Sequence, residues 1–445
     1  MKKNIQKLVH THTHTLNYIF PNNCQSASFP LFFHRITFCP LFFLKIKRIV
    51  FLSVLFFLLS QNGYSQSTSY FKAKAYLSYA LYDSAYFYIN EAIKKEPDNY
   101  RYWQLKGNLL FAEKQWDGAI NSYKEAEKHK RNIATYPLAK SYALTGNFEK
   151  AKEYLEAYLT QRNRIRTDKI LSDTCFKEFS KTNIWQHLWE KDYNNAYQNI
   201  LKQIEYNIHY EHYEDALEQI DDYLIKHPKK YYLYFLKGNI LQKMNDNYAA
   251  LSAYETAYKI KQKNTEIIYA YGDLLFRMKK FKKAKSVFLQ LRNTDKYNIL
   301  PLREIGKCNF ELKKTEEALQ DLSYFVQFYF NDSEANFYLA KIYLTKKKYF
   351  NALRYINKAI KKNPNSFIYL FTRGKIYLES QAYKLAKKDF LLALDISNTQ
   401  SGKLYFLLGL CYQHMNDFSM ACSYWKRAYL HKYMEANEYL LKFCQ

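Results

Sequence analysis

Apolar residues in this chain recur at i, i+3, i+4 and i+7, the spacing that lays one continuous stripe along an α-helix, and the striped segments come in pairs with a fixed repeat. Alanine stands at Ala216, Ala250, Ala284, Ala318, Ala352, Ala386 and Ala421, in steps of 34, 34, 34, 34, 34 and 35 residues. Twelve residues before each of these is a small residue in six of seven cases: Gly238, Gly272, Gly306, Ala340, Gly374 and Gly409, with Ile204 as the exception. Four residues after the alanine comes a large apolar side chain: Ile220, Tyr254, Phe288, Leu322, Ile356, Phe390 or Trp425. The phase continues upstream through Ala85, Ala119 and Ala151, with Gly107, Trp103 and Pro97 in their columns, and Pro228 and Pro364 close two of the units.

Each unit therefore predicts two antiparallel helices. The first meets the second at the small column, and the alanine column allows neighbouring units to approach closely. Neither helix covers its apolar stripe alone, so a unit depends on the next one along, and a stack of them has no single central core. The spacing predicts three units over 66–162 and seven over 197–434, ten in all. The step from Ala151 to Ala216 is 65 residues, close to two periods, which predicts one further, degraded hairpin over 163–196 anchored by Trp185 and Trp189. The last segment, 435–445, reads as a capping helix over the exposed end of the final unit.

These columns resemble the tetratricopeptide repeat (TPR), whose 34-residue unit runs W-x2-L-G-x2-Y, then A-x3-F, then P. Trp103, Gly107, Leu110, Ala119, Tyr123 and Ala126 match it in one unit, and Gly374, Tyr377, Ala386, Phe390 and Ala393 in another. The resemblance covers residues 68 to 445. It implies an all-α, right-handed solenoid whose first helices line a concave groove that holds a partner.

Composition narrows the choice further. Gly and Pro together number 18 of 445 residues, too few for the turns of a sandwich, a barrel or a loop-rich enzyme. The closest glycines, Gly402 and Gly409, are seven residues apart, so no glycine-rich loop is present to cradle a phosphate. The chain holds 67 Lys+Arg against 41 Asp+Glu, a formal charge of +26. That charge suits nucleic acid, an anionic membrane or an acidic protein; its plainest reading is lysines solvating helix faces.

No chemistry-bearing motif stands out. The His10, His12, His14 run is a weak metal candidate, as is Glu205 with His209 and the nearby His212, because a stable site wants three or four ligands in fixed geometry. Cys308, Cys411 and Cys422 lie inside the helical pattern and read as small core residues, with no pairing pattern to suggest a disulfide framework. The sequence predicts no catalytic residue, metal or cofactor.

The N-terminal end carries its own signal. Lys45, Lys47 and Arg48 precede an eleven-residue run, Ile49 to Leu59, apolar except for Ser53, then a polar exit with Gly63 and Ser65. A charged start, a short apolar core and small residues at the exit make 45–65 a signal peptide cut after Ser65, and the run is too short to span a bilayer. Residues 1–44 precede it as an unlike leader that suggests a misassigned start. If the apolar run is not cleaved, it is the chain's one expected membrane contact.

In a TPR groove, the positions three before and one after the small column point inward. Three before, Phe235, Tyr269, Arg303, Phe337, Phe371 and Phe406 follow one another; one after, Lys307, Lys341 and Lys375 repeat at the unit period. With Arg303 these lysines form an expected basic rail beside Phe337 and Phe371, suited to an extended segment that alternates apolar and acidic groups. The competing reading packs the aromatics against neighbouring helices and leaves the lysines as solvated heads. The resemblance and the signal peptide together imply an exported, non-catalytic scaffold of the cell envelope or periplasm of a bacterium. A helical-repeat nucleic-acid binder and a glycan-binding module are the rival classes, and no nucleic-acid partner is expected.

Overall fold

A computed structural model describes residues 68–161, 165, 167–190, 196–295, 297–396 and 401–444; the expected leader and signal segment lie outside these. All regular structure among the described residues is helical. Three hairpins come first: α1 (Thr68–Ser78) with α2 (Tyr82–Lys95), α3 (Tyr100–Ala112) with α4 (Trp116–His129), and α5 (Thr135–Leu144) with α6 (Phe148–Leu159). After an irregular stretch, seven more follow. They are α9 (Ala196–His209) with α10 (Tyr213–Lys226), α11 (Tyr231–Lys243) with α12 (Asn247–Ile260), α13 (Thr265–Arg277) with α14 (Phe281–Thr294), and α15 (Pro301–Glu311) with α16 (Thr315–Val326). The series ends with α17 (Ser333–Thr345) and α18 (Tyr349–Lys362), α19 (Phe367–Glu379) and α20 (Tyr383–Ile396), and α21 (Gly402–His414) and α22 (Phe418–Leu430), closed by α23 (Glu435–Phe443).

The irregular stretch corrects one expectation. In place of a degraded hairpin over 163–196 the chain makes α7 (Thr167–Leu171), two 3-10 turns at Thr174–Phe176 and Phe179–Lys181, and α8 (Asn183–Trp189). Helices of five and seven residues cannot hold themselves up by propensity, and this segment lacks the alanine and glycine columns. What orders it is aromatic burial: Phe176, Phe179 and Trp185 pack together, with Trp189 against Trp185, and cover the open side of the third hairpin.

The columns act as their spacing implies. Each repeat alanine from Ala85 to Ala421 is at most 1% exposed. The glycines exist because the side chain sixteen residues later lies flat on their backbone: a methyl group on Gly107 would meet the Tyr123 ring at 2.5 Å, and one on Gly374 would meet Phe390 at 2.5 Å. Tyr254, Phe288 and Trp425 close on Gly238, Gly272 and Gly409 in the same way. Ala340 stands in this column opposite the slimmer Ile356, which shares its buried cluster.

Every first helix ends alike. Lys114, Glu211, Asn245, Lys279, Lys313, Lys347, Gln381 and Asn416 have positive φ, as do Ala80 and Gly146. The next residue's N–H reaches back five positions, as Lys280 N to Leu275 O at 2.8 Å and Lys348 N to Tyr343 O at 2.8 Å. This is the Schellman closure, which usually recruits glycine; here nine of the ten turns use a side-chain-bearing residue.

The stack also departs from pure nearest-neighbour order. Most linkers between hairpins of the second array hold four or five residues, but 295–300 and 327–332, which flank the seventh hairpin, hold six. The first two hairpins dock there. Tyr70 meets Tyr297 edge-on at 5.7 Å, Phe71 meets Phe328 at 5.6 Å, and Tyr79 meets Phe330 at 4.8 Å. Asn99 Nδ2 donates to Tyr297 Oη at 2.9 Å, Asn331 N donates to Tyr79 Oη at 3.3 Å, and the Arg101 guanidinium lies over the Tyr297 ring. Tyr70, Phe71, Tyr297 and Phe328 share one buried cluster, and 198 to 252 residues separate the hydrogen-bonded pairs.

Candidate functional site

The first helices of the second array were expected to carry the site, and the structure divides their residues into two kinds. Phe235 and Phe406 are core residues, 5% and 6% exposed. Phe235 packs on Tyr254, and Phe406 on Tyr433 and Tyr439, so neither is available to a partner. Tyr269, Phe337 and Phe371 are half-buried, one per unit in α13, α17 and α19, each with a face on its own hairpin or the next: Tyr269 on Phe288, Phe337 on Tyr369, Phe371 on Phe390. The Tyr269 hydroxyl is buried with no hydrogen-bond partner.

The basic rail is not free. Lys307 is 4% exposed; its Nζ lies 2.7 Å from Glu304 and 2.6 Å from Glu334. Arg303 binds Glu304 at 2.7 Å and Asp332 at 2.9 Å. Burial works against the Lys307 charge, but Glu304 and Glu334 outweigh it and hold its pKa above the ordinary lysine value. Burial likewise penalises the Glu304 carboxylate, and Arg303 with Lys307 overcomes this and keeps it ionised. Two cations therefore face three anions, and this part of the rail is an internal network that ties α15 to α17. Lys341 pairs with Glu311 at 3.2 Å and stacks its ammonium over Phe310 at 4.4 Å. Lys375 is half-buried and, among the described residues, has no anionic partner. The sequence signal for this neutralisation was present in Glu304, one turn before Lys307, but Asp332 and Glu334 come from the following linker and helix.

Of the remaining candidates, His10, His12 and His14 lie outside the described residues. Glu205 and His209 line a surface recess of about 580 Å³ with Lys169, Lys202 and Lys243. No group of three or more His, Cys, Asp or Glu side chains converges among the described residues. Burial pushes the Cys308 and Cys411 thiols up to about 12, so both are inert core groups. Cys422 corrects the sequence reading: it forms a disulfide with Cys444, pinning the end of α23 to α22.

One buried carboxylate is poised to titrate. Burial lifts Asp321 from 3.8 to about 6, only partly offset by Asn309 Nδ2, which donates to it at 2.8 Å, and by Lys285. Because the folded value is the higher one, the native state holds the extra proton, and the stability it brings is present below pH 4 and lost as pH rises to about 6. Asp321→Asn should then raise stability at pH 7 by about 1 to 3 kcal/mol, with little change near pH 4. Urea melts of both proteins at the two pH values check this, and an equal shift at both would count against it.

Paired helices at a 34-residue period, with ring-on-glycine contacts inside each pair, define a solenoid of tandem helical hairpins. The chain carries tetratricopeptide repeats: the tetratricopeptide repeat model matches residues 136–163 and 231–264. The model of the Chs5p-Arf1p-binding proteins also matches, over residues 262–439. A TPR repeat-containing protein of Methanocaldococcus jannaschii is 25% identical over 387 residues, covering 72% of this chain and 63% of its own length. Tetratricopeptide repeat protein 21B of Homo sapiens is 31% identical over 160 residues, 35% of this chain. The chain thus spans 63% and 11% of these two relatives. Among solved structures, a tetratricopeptide repeat protein from Parabacteroides merdae has 20% identity and a TM-score of 0.46, covering 56% of this chain and 99% of its own. The Cut9–Hcn1 complex has 13% identity and a TM-score of 0.48, covering 84% of this chain and 89% of its own.

Proposed function

We propose that this protein is a non-catalytic scaffold that holds an extended segment of a partner protein along the first helices of its second array, in the cell envelope. The observation that carries the reading is the row of half-exposed rings at Tyr269, Phe337 and Phe371, with Lys375 as the unpaired cation beside it. Aromatic anchors supply most of the affinity in such interfaces, and rim charges mainly set the rate of encounter. Since Arg303 and Lys307 are spent on Glu304, Asp332 and Glu334, the favoured ligand is more apolar than a continuous rail would select, with an acidic group at Lys375. A nucleic-acid reading loses Arg303 and Lys307 as groove cations for the same reason.

Two features support the compartment. Residues 45–65 have the order of a signal peptide. The Cys422–Cys444 disulfide is a bond that persists in oxidising compartments and is rare in the cytosol. The test is to recover partners from isolated envelopes with the wild-type protein and with Phe337→Ala/Phe371→Ala. Loss of two ring anchors should weaken binding of the recovered partner by about thirtyfold or more. Equal affinity for both proteins would end this reading.

A further inference from the structure

The turns between the first and second helices of successive hairpins form one continuous edge. Lys346 at the end of α17 bonds Glu316 at the start of α16 at 2.5 Å, and Lys285 in α14 bonds Glu317 in α16 at 3.1 Å, so three consecutive turns sit side by side. The stretches 278–283, 312–317 and 346–350 that make this edge hold nine lysines against Glu316 and Glu317. Lys279, Lys280, Lys282, Lys313, Lys347 and Lys348 are exposed and, among the described residues, have no anionic partner. Bulky side chains stand out at the starts of two second helices, one on the last of these turns and one on the turn that precedes them in sequence. Phe350, second residue of α18, is 81% exposed, and Tyr248, second residue of α12, is 77% exposed.

A phenylalanine four-fifths in water, two residues after the exposed Lys347–Lys348 pair, suits a boundary between charge and hydrocarbon. We propose that this edge rests on an anionic lipid surface, its lysines on headgroup phosphates and Phe350 and Tyr248 inserted at the interface. Several observations favour lipid over a folded partner or nucleic acid. The cations are all lysine, long and flexible, with no arginine fork to recognise one phosphate geometry. They lie on protruding turns, where a broad surface is reached most easily. Clustered lysines gain from a field of anionic headgroups, and exposed aromatics anchor at its depth. No helix among the described residues is long and apolar enough to cross a membrane. This surface is at the helix ends, apart from the mid-helix positions of Tyr269, Phe337 and Phe371, and does not depend on the peptide-binding reading.

The test uses the full chain with vesicles of phosphatidylcholine alone or with 30% phosphatidylglycerol (about one lipid in three, enough for a strong surface potential). The quantity read is the ratio of anionic to neutral binding. Lys279→Glu, Lys313→Glu and Lys347→Glu together should lower that ratio about a hundredfold, since each lysine contributes about fivefold. A control of equal charge change at the opposite helix ends, Lys263→Glu in a linker with Lys361→Glu and Lys362→Glu in the last turn of α18, should lower it far less. Equal losses in the two variants would reduce the effect to net charge and overturn the proposal. In a second measurement, Phe350→Trp should gain a blue-shifted emission that brominated lipid quenches on anionic vesicles only. Indole emission from that variant unmoved by anionic vesicles would also overturn it.

Discussion

Removing the Phe328 ring should detach the first two hairpins from the seventh. Phe328 is 4% exposed, in edge-on contact with Phe71 of α1 and with Tyr324 from its own hairpin. Truncating a buried phenylalanine to alanine costs about 3 to 5 kcal/mol. Here the loss falls on a contact between distant parts of the stack, so it should appear as opening before global unfolding: a larger radius of gyration in scattering and an early, separate step on heating. Part of the cost belongs to Tyr324, and a cycle with Phe71→Ala isolates the rest, for which edge-on rings predict a coupling of about 0.5 to 1.5 kcal/mol. No coupling and an unchanged scattering curve would mean that the first two hairpins and the seventh do not hold each other in solution.

The second large effect is expected at the other end. The Cys422–Cys444 bond closes a loop over 22 residues of sequence. In the chain-entropy picture, opening a loop of that size releases about 3 kcal/mol. The groups that would loosen are those α23 covers: Trp425, fully buried, with Tyr439 and Phe443 against its indole. Cys422→Ser/Cys444→Ser, or reductant on the wild type, should lower the melting temperature and speed hydrogen exchange over 435–444. Melting that is insensitive to reductant would show that the cap holds by packing alone.

Much of the architecture was legible because it is periodic. An alanine that must let two helices touch, and a glycine that must lie under a ring sixteen residues on, recur wherever the hairpin does, and a fixed interval exposes both. The departures are the features that period conceals. The six-residue linkers at 295–300 and 327–332 leave the 34-residue step intact because α15 and α16, at eleven and twelve residues, are shorter than most of their counterparts. Phe328, which stands where other units still have the last residue of their second helix, then looks like any aromatic in a helix stripe, and Tyr297 like any linker residue. The left-handed turns at Lys279, Lys313 and Lys347 carry no glycine to announce them. Cys444 lies beyond the repeat pattern, so nothing in the spacing pairs it with Cys422. In the candidate site, the rows were readable but their availability was not: whether Lys307 meets solvent or Glu334 depends on how the next hairpin is laid down.

The docking of Tyr79 against Asn331 also bears on how the chain is made. A stack of hairpins can ordinarily fold as it leaves the ribosome, each unit settling on the one before. Here the partner surface for the first hairpin is synthesised 252 residues later. At about 5 to 20 residues per second that is a delay of roughly ten to fifty seconds. Throughout it Tyr70, Phe71 and Tyr79 lack rings of the later hairpins that cover them, so the first hairpin is the part most in need of a chaperone while it waits.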